Sequence, residues 1–128
     1  MQVKIEKVSI WKEDERGKVF DFPARASKYF IVIHRKAGTA SGDHYHKGTT
    51  KSKSPEIFYF ISGKAELFVR DIKTGEEQTF ILDSGTKIEI SPFIYHSFKA
   101  LTDIIFLELN VSKEDFAGYE KDTAKSEK

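Results

Sequence analysis

The sequence is divided into short apolar segments by closely spaced turn signals, and this spacing limits the folds that the chain can adopt. Eight segments are rich in β-branched or aromatic residues: 18–22, 29–35, 56–62, 65–72, 77–82, 87–91, 96–100 and 103–111. Turn residues at 36–38, 62–64 and 83–85 separate several of them. Because no long helical pattern lies between these segments, they predict an all-β fold, either an antiparallel sandwich or a barrel.

The chain is long enough for one domain and rich enough in apolar residues to give that domain a core. Its 128 residues are 39% hydrophobic and 13% aromatic. Ser112 opens a segment that predicts a short helical turn through Phe116. The domain is therefore expected to cover residues 1–118. Polar and charged residues from Tyr119 onwards predict a flexible tail at 119–128.

Charge and residue usage exclude several classes of function. Lys and Arg number 21 against 20 Asp and Glu, so the chain lacks the basic excess of a nucleic-acid binder. No apolar run approaches the roughly 18 residues of a membrane span, which predicts a cytoplasmic protein without a membrane partner. The absence of Cys excludes disulfides and thiolate chemistry. Few Asn and Gln beside many Lys and Glu are typical of thermophile proteins.

Three histidines and a glutamate are spaced so that strands would bring them together. His44 and His46 are two residues apart, so on a strand their side chains leave the same face. Glu56 and His96 each begin a segment in which aromatic residues alternate on the same face. A carboxylate buried among aromatic rings needs a cation or a protonated partner. Three imidazoles and one carboxylate suit one divalent ion (Zn, Mn, Fe, Ni or Co) with open positions for water or substrate.

The same residues stand in two motifs that resemble those of the cupin superfamily. The motif residues are Gly38, His44, His46, Glu56 and Gly63 in the first motif, and Gly85, Pro92 and His96 in the second. The resemblance covers about residues 30–110. It implies a double-stranded β-helix, or jelly-roll barrel, that is usually a dimer. It also implies that His44, His46, Glu56 and His96 are the metal ligands.

A second resemblance involves the stretches 14–17 and 42–47. They are similar to nucleotide-sugar cupins, which include dTDP-sugar 3,5-epimerases, 3,4-ketoisomerases and the C-terminal cupin domain of capsular-polysaccharide assembly enzymes. In metal-free members of that group the equivalent histidines are acid/base catalysts, and this role would fall to His44 and His46. Ser41 replaces an arginine that contacts phosphate or substrate in those proteins.

The spacing between His46 and Glu56 is longer than the motif usually has. The intervening residues 47–55, here called the inserted loop, contain no apolar residue, no acid and three lysines. We expect a solvated loop at the pocket mouth, where Lys47, Lys51 and Lys53 would attract a phosphate-bearing substrate. The alternative is a surface loop with ordinary lysines.

The favoured function is an isomerase or epimerase acting on a sugar or nucleotide-sugar. A metal would polarise a carbonyl while a base moves the adjacent proton. Phe58 and Phe98 are expected to form the pocket wall. Tyr95 is a candidate base for which packing is the competing role, and Glu108 is expected to face outward.

Three alternatives remain open at the sequence level. They are an Fe(II)-dependent oxygenase, a non-catalytic small-molecule-binding protein, and a metal-free ketoisomerase that uses His44 and His46. A homodimer is also predicted, because the apolar alternation of residues 2–10 indicates a strand outside the barrel motifs that needs a partner edge.

Overall fold

The computed structural model describes residues 1–22, 29–49, 53–110 and 123–125, and the regular elements among them are β-strands. The first sheet contains, in spatial order, β1 (Val3–Lys7), β9 (Thr86–Ile90), β6 (Glu56–Ser62), β11 (Ile104–Asn110) and β4 (Tyr29–Arg35). The second sheet contains β12 (Thr123–Ala124), β5 (Ala40–His46), β10 (Ile94–Ala100), β7 (Ala65–Asp71) and β8 (Glu77–Leu82). A separate hairpin is formed by β2 (Ser9–Asp14) and β3 (Gly17–Asp21).

The strands pair antiparallel and form the double-stranded β-helix that the motifs imply, so the predicted fold class is confirmed. The predicted segments 29–35, 56–62 and 77–82 are strands with the same bounds. No helix in the described part of the chain is long and apolar enough to cross a bilayer.

Aromatic side chains from β6, β10 and β11 fill the space between the two sheets. Phe58 meets Phe98 edge to face at 5.3 Å between ring centroids, and Phe60 stacks on Phe106 at 6.0 Å. Successive side chains of a strand point to opposite faces, so these buried residues are followed by more exposed ones along β6 and β10. Phe58, Phe98 and Phe106 of this core also line the cavity that contains the polar residues described below.

The N-terminal segment is part of the first sheet, and not outside the barrel as predicted. Residues 2–10 contain all of β1 and the beginning of β2, and β1 pairs with β9 of the same chain, with Val3 opposite Ile90. The apolar side chains Val3 and Ile5 pack against the core of their own barrel. Among the described strands β1 is at the edge of the first sheet, so a role for its outer edge in a homodimer stays a prediction.

The C-terminal segment also differs from its prediction. The helical turn expected at 112–116 lies outside the described residues. Thr123 and Ala124, which fall within the predicted flexible tail, form β12 and pair with His46 and Tyr45. A two-residue strand is too short to show an apolar alternation, so the sequence carried no signal for it.

Candidate functional site

A bulge in β5 sets the positions of its two histidines. Gly42 and Asp43 have φ angles of +87° and +57°, and the pairing with β10 shifts register there: His44 lies opposite His96 and Gly42 opposite Ser97. A Cβ atom at Gly42 would lie 2.9 Å from the carbonyl oxygen of His96. The glycine therefore permits both the left-handed backbone and the close approach of β5 to β10.

The four residues predicted as ligands converge in the structure. The imidazole of His44 lies 4.7 Å from that of His46 and 4.8 Å from that of His96, measured between ring centroids. Glu56 reaches the cluster from β6. Its Oε2 lies 3.3 Å from Nε2 of His46, and its Oε1 lies 3.3 Å from Nε2 of His96. Glu56, His46 and His96 are buried, whereas His44 is half-buried.

A cavity of about 290 Å³ opens beside this cluster. Phe58 and Phe98, both predicted as pocket wall, line its apolar side, and His44 and His96 line its polar side. Arg35 from β4 also lines the cavity, and among the described lining residues it is the one with a permanent positive charge. His46 contacts Glu56 and is not among the residues that line the cavity.

Burial keeps the cavity-lining histidines neutral. Burial, followed by the neighbouring His96 and His46, lowers the pKa of His44 to about 4. Burial also lowers the pKa of His96. The Nδ1 atom of His96 lies 3.1 Å from the carbonyl oxygen of Ile94, which can only accept a hydrogen bond. Nδ1 of His96 therefore carries the proton, and its Nε2 presents a lone pair towards Glu56.

The residues present fit a divalent metal. Nε2 of His96 and Oε1 of Glu56 face each other as two acceptors at 3.3 Å, and Oε1 is buried with no hydrogen-bond partner in the described part of the chain. Ligand nitrogens of the three histidines lie within 4.8 Å of one another. Such a set accepts several first-row divalent ions alike. A positive charge at this point would satisfy the lone pairs that converge there.

Lys53 is placed differently from its prediction. It was expected at the solvated mouth, but its side chain is only 1% exposed. Its Nζ lies 3.3 Å from Oε2 of Glu56 and hydrogen-bonds to Oε1 of Glu108. A segment without apolar residues is usually exposed to solvent, but a lysine in it can be buried where carboxylates neutralise its charge. Lys47 is exposed as expected, and Lys51 lies outside the described residues.

The outward orientation expected for Glu108 was wrong. Glu108 shares the inward face of β11 with Ile104 and Phe106, is buried and lines the cavity. Burial, together with the negative charge of Glu56, raises the pKa of Glu108 to about 8. Both faces of β11 are apolar, so the alternation in the sequence could not show which face points to the core.

Tyr95, the candidate base, lies on the other side of β10 from the histidine cluster. Its hydroxyl hydrogen-bonds to the carboxylate of Asp43, and its ring packs edge to face against Phe68. Burial and the bond to Asp43 raise the pKa of Tyr95 to about 12. Tyr95 does not line the cavity, so the structure gives it a packing position.

Thr123 is a site residue that the sequence did not suggest. Its Oγ1 lies 3.3 Å from Nδ1 of His46, so β12 holds the far side of that imidazole. Arg35 and Glu108 also line the cavity and were not predicted to do so. The residue pattern of a single strand does not show which residues of other strands will lie opposite it.

Several solved structures share this fold. A sugar 3,4-ketoisomerase from Thermoanaerobacterium thermosaccharolyticum in complex with TDP superimposes with a TM-score of 0.73 at 19% identity, covering 97% of this chain and 88% of that chain. A dTDP-4-dehydrorhamnose 3,5-epimerase from Sulfolobus tokodaii gives 0.71 at 19% identity, covering 85% and 69%. A 3,4-ketoisomerase from Helicobacter canadensis gives 0.70 at 19% identity, covering 88% and 84%.

Sequence comparisons give the family. Curated proteins contain no match to the chain. The family model described as the polysaccharide biosynthesis C-terminal domain matches residues 12–124, which is most of the sequence. The chain therefore belongs to the polysaccharide biosynthesis C-terminal domain family.

Proposed function

We propose that the protein is an isomerase or epimerase acting on a nucleotide-linked sugar. The observation that carries this proposal is one cavity that combines a neutral imidazole, His44, with a guanidinium, Arg35. Moving a proton beside a carbonyl requires a base, and holding a diphosphate requires a fixed cation. In support, solved structures with this fold include one in complex with TDP and one in complex with TDP-4-keto-6-deoxyglucose.

His44 is the residue best placed to move the proton. It is half-buried and lines the cavity, and its neutral imidazole can accept a proton from the carbon next to the carbonyl. The negative charge of Glu56 stabilises the imidazolium that forms. Returning this proton to the former carbonyl carbon, while the hydroxyl proton passes to the former carbonyl oxygen, gives isomerisation. Protonation of the original carbon on its opposite face, by water or another acid, gives epimerisation and leaves the first proton on His44 for release to solvent. His46 positions Glu56 by the 3.3 Å contact between its Nε2 and Oε2 of Glu56.

The test is the conversion of TDP-4-keto-6-deoxyglucose in deuterium oxide, followed by proton NMR. We expect deuterium to enter the sugar at a carbon next to the carbonyl, together with a shifted carbonyl or an inverted centre. The matched control is the same 4-keto sugar without the nucleotide, which should react far more slowly because it lacks the phosphates. If neither compound exchanges a carbon-bound proton, the protein is not an enzyme of this class.

Arg35 lies beside Ser41, the position at which the resemblance implies an arginine. Its Nε donates a hydrogen bond to Oγ of Ser41 at 3.2 Å. We expect Arg35→Gln to weaken TDP binding about tenfold, as measured by calorimetry, because one charge-assisted contact to phosphate is lost. Lys47→Gln is the control, since Lys47 is exposed and does not line the cavity. Equal affinities for TDP in the wild type and in Arg35→Gln would assign phosphate binding to other residues.

We also propose that the site can hold one divalent metal through His44, His46, His96 and Glu56. When bound, such an ion supplies Lewis-acid polarisation of a carbonyl. Elemental analysis of the purified protein measures its occupancy. Activity that survives chelation would assign proton transfer to an uncoordinated His44, whereas activity that depends on added metal would assign His44 to ligation.

A homodimer stays a prediction, and its basis is now the β2–β3 hairpin. A two-stranded hairpin alone is marginally stable, and this one exposes Trp11 at 66% and Val19 at 48%. A second copy of the chain packed on these side chains would cover them. Sedimentation of the purified protein measures this state.

A further inference from the structure

Lys53 is an unusual side chain for this position in the fold. It belongs to the inserted loop, which the sequence predicts to be solvated. Its side chain is nevertheless among the most completely buried in the described part of the chain. Burying an ammonium group is costly unless carboxylates surround it. Lys53 meets that condition, because it contacts Oε2 of Glu56 at 3.3 Å and hydrogen-bonds to Glu108.

The carboxylate that Lys53 contacts is also the one that faces the histidines. Oε2 of Glu56 lies 3.3 Å from both Lys53 Nζ and His46 Nε2. A cation held between Glu56 and the histidines would therefore share this carboxylate with an ammonium group. Two positive charges on one buried carboxylate repel each other strongly, because little solvent lies between them to screen the repulsion.

We propose that Lys53 is a built-in counter-cation, which holds Glu56 in place without a metal and lowers the affinity of the histidine cluster for divalent ions. Lys53 is thus a positioning residue for Glu56. The inference concerns charge balance and is independent of the reaction that the cavity catalyses. It also explains how Glu56 can stay packed against the histidine cluster without a metal ion.

Two substitutions of opposite charge test this role with Co²⁺ as the probe. Lys53→Met removes a positive charge beside Glu56, so we expect it to bind Co²⁺ at least about tenfold more tightly than the wild type. Glu108→Gln, compared with the wild type at about pH 8.5, removes negative charge next to Lys53, because most of Glu108 is ionised above its pKa of about 8; we expect this variant to bind Co²⁺ more weakly at that pH. Titration of the chelator-treated proteins, followed by the visible absorption of bound Co²⁺, gives each affinity.

The opposite signs separate this role from a structural one. If Lys53 and Glu108 merely packed the site, both substitutions would weaken Co²⁺ binding. Lys47→Met is the matched control, because it removes a lysine of the same loop that is exposed and should leave the affinity unchanged. The proposal is overturned if Lys53→Met binds Co²⁺ no more tightly than the wild type. It is also overturned if neither the wild type nor Lys53→Met binds Co²⁺.

Melting temperatures give a second readout. The wild type should melt at nearly the same temperature with and without chelator, since Lys53 already neutralises Glu56. Lys53→Met should melt lower without metal and recover when Co²⁺ is added. A wild type that loses much of its stability on chelation would contradict the proposal. If Lys53→Met does not fold without metal, Lys53→Gln takes its place, because its amide can still donate to the carboxylates.

Discussion

Replacing His44 with asparagine is expected to lower kcat on TDP-4-keto-6-deoxyglucose by at least about 100-fold. General acid–base catalysis by a positioned side chain contributes roughly two to four orders of magnitude to a rate. The asparagine side chain fills a similar space but cannot accept a proton at neutral pH. Steady-state turnover, followed by NMR of the sugar, measures the loss.

Two comparisons show whether that loss belongs to proton transfer. The affinity for TDP should change by less than about twofold in His44→Asn, because the proposed phosphate contact is made by Arg35 on β4 and not by His44. His34→Asn is the matched control, since His34 is exposed on β4 and outside the cavity, and it should retain full activity. An equal fall in activity in both variants would mean that the effect is not specific to the site.

Replacing Phe60 with alanine is expected to reduce the free energy of unfolding by about 3–5 kcal/mol, the range for a buried Phe→Ala truncation. Phe60 is fully buried at the centre of the aromatic core, where its ring stacks on Phe106 at 6.0 Å. The rings around it come from strands held by backbone hydrogen bonds, so they cannot collapse into the space. Urea unfolding at neutral pH measures the change.

Phe30→Ala is the control for that measurement. The side chain of Phe30 is 52% exposed on the outer face of β4, so its truncation creates no cavity and should cost less than about 1 kcal/mol. If both variants lost similar stability, the aromatic residues between the sheets would not be the main source of packing energy.

The sequence predicted which histidines and which glutamate come together, but not the positions of the charged residues around them. His44, His46, Glu56 and His96 could be identified because motif spacing and strand alternation are properties of the linear sequence. The position of Gly63 relative to Glu56 indicated Glu56 as the motif glutamate despite the inserted loop. The fold class followed from the regular spacing of short apolar segments and turn residues along the chain.

Contacts made between strands that are distant in sequence were not predictable. Lys53 looks like any solvated lysine until two carboxylates from β6 and β11 are placed beside it. Glu108 could not be oriented, because apolar residues lie on both faces of β11. Arg35 lies just outside the first motif and reaches the cavity only because β4 pairs with β11 at the edge of the sheet.

The strand order also determines when the site comes into existence as the chain folds. β1 pairs with β9, and β4 pairs with β11, which in both cases is far later in the sequence. The first sheet therefore cannot be completed before these C-terminal strands have formed. Such non-local pairing makes folding slow and leaves strand edges open in the meantime. His44, Glu56 and His96 lie on three strands that meet only in the finished barrel. Binding of Co²⁺ or TDP would therefore be a property of completely folded molecules only. It would stabilise the whole barrel and not one segment of it.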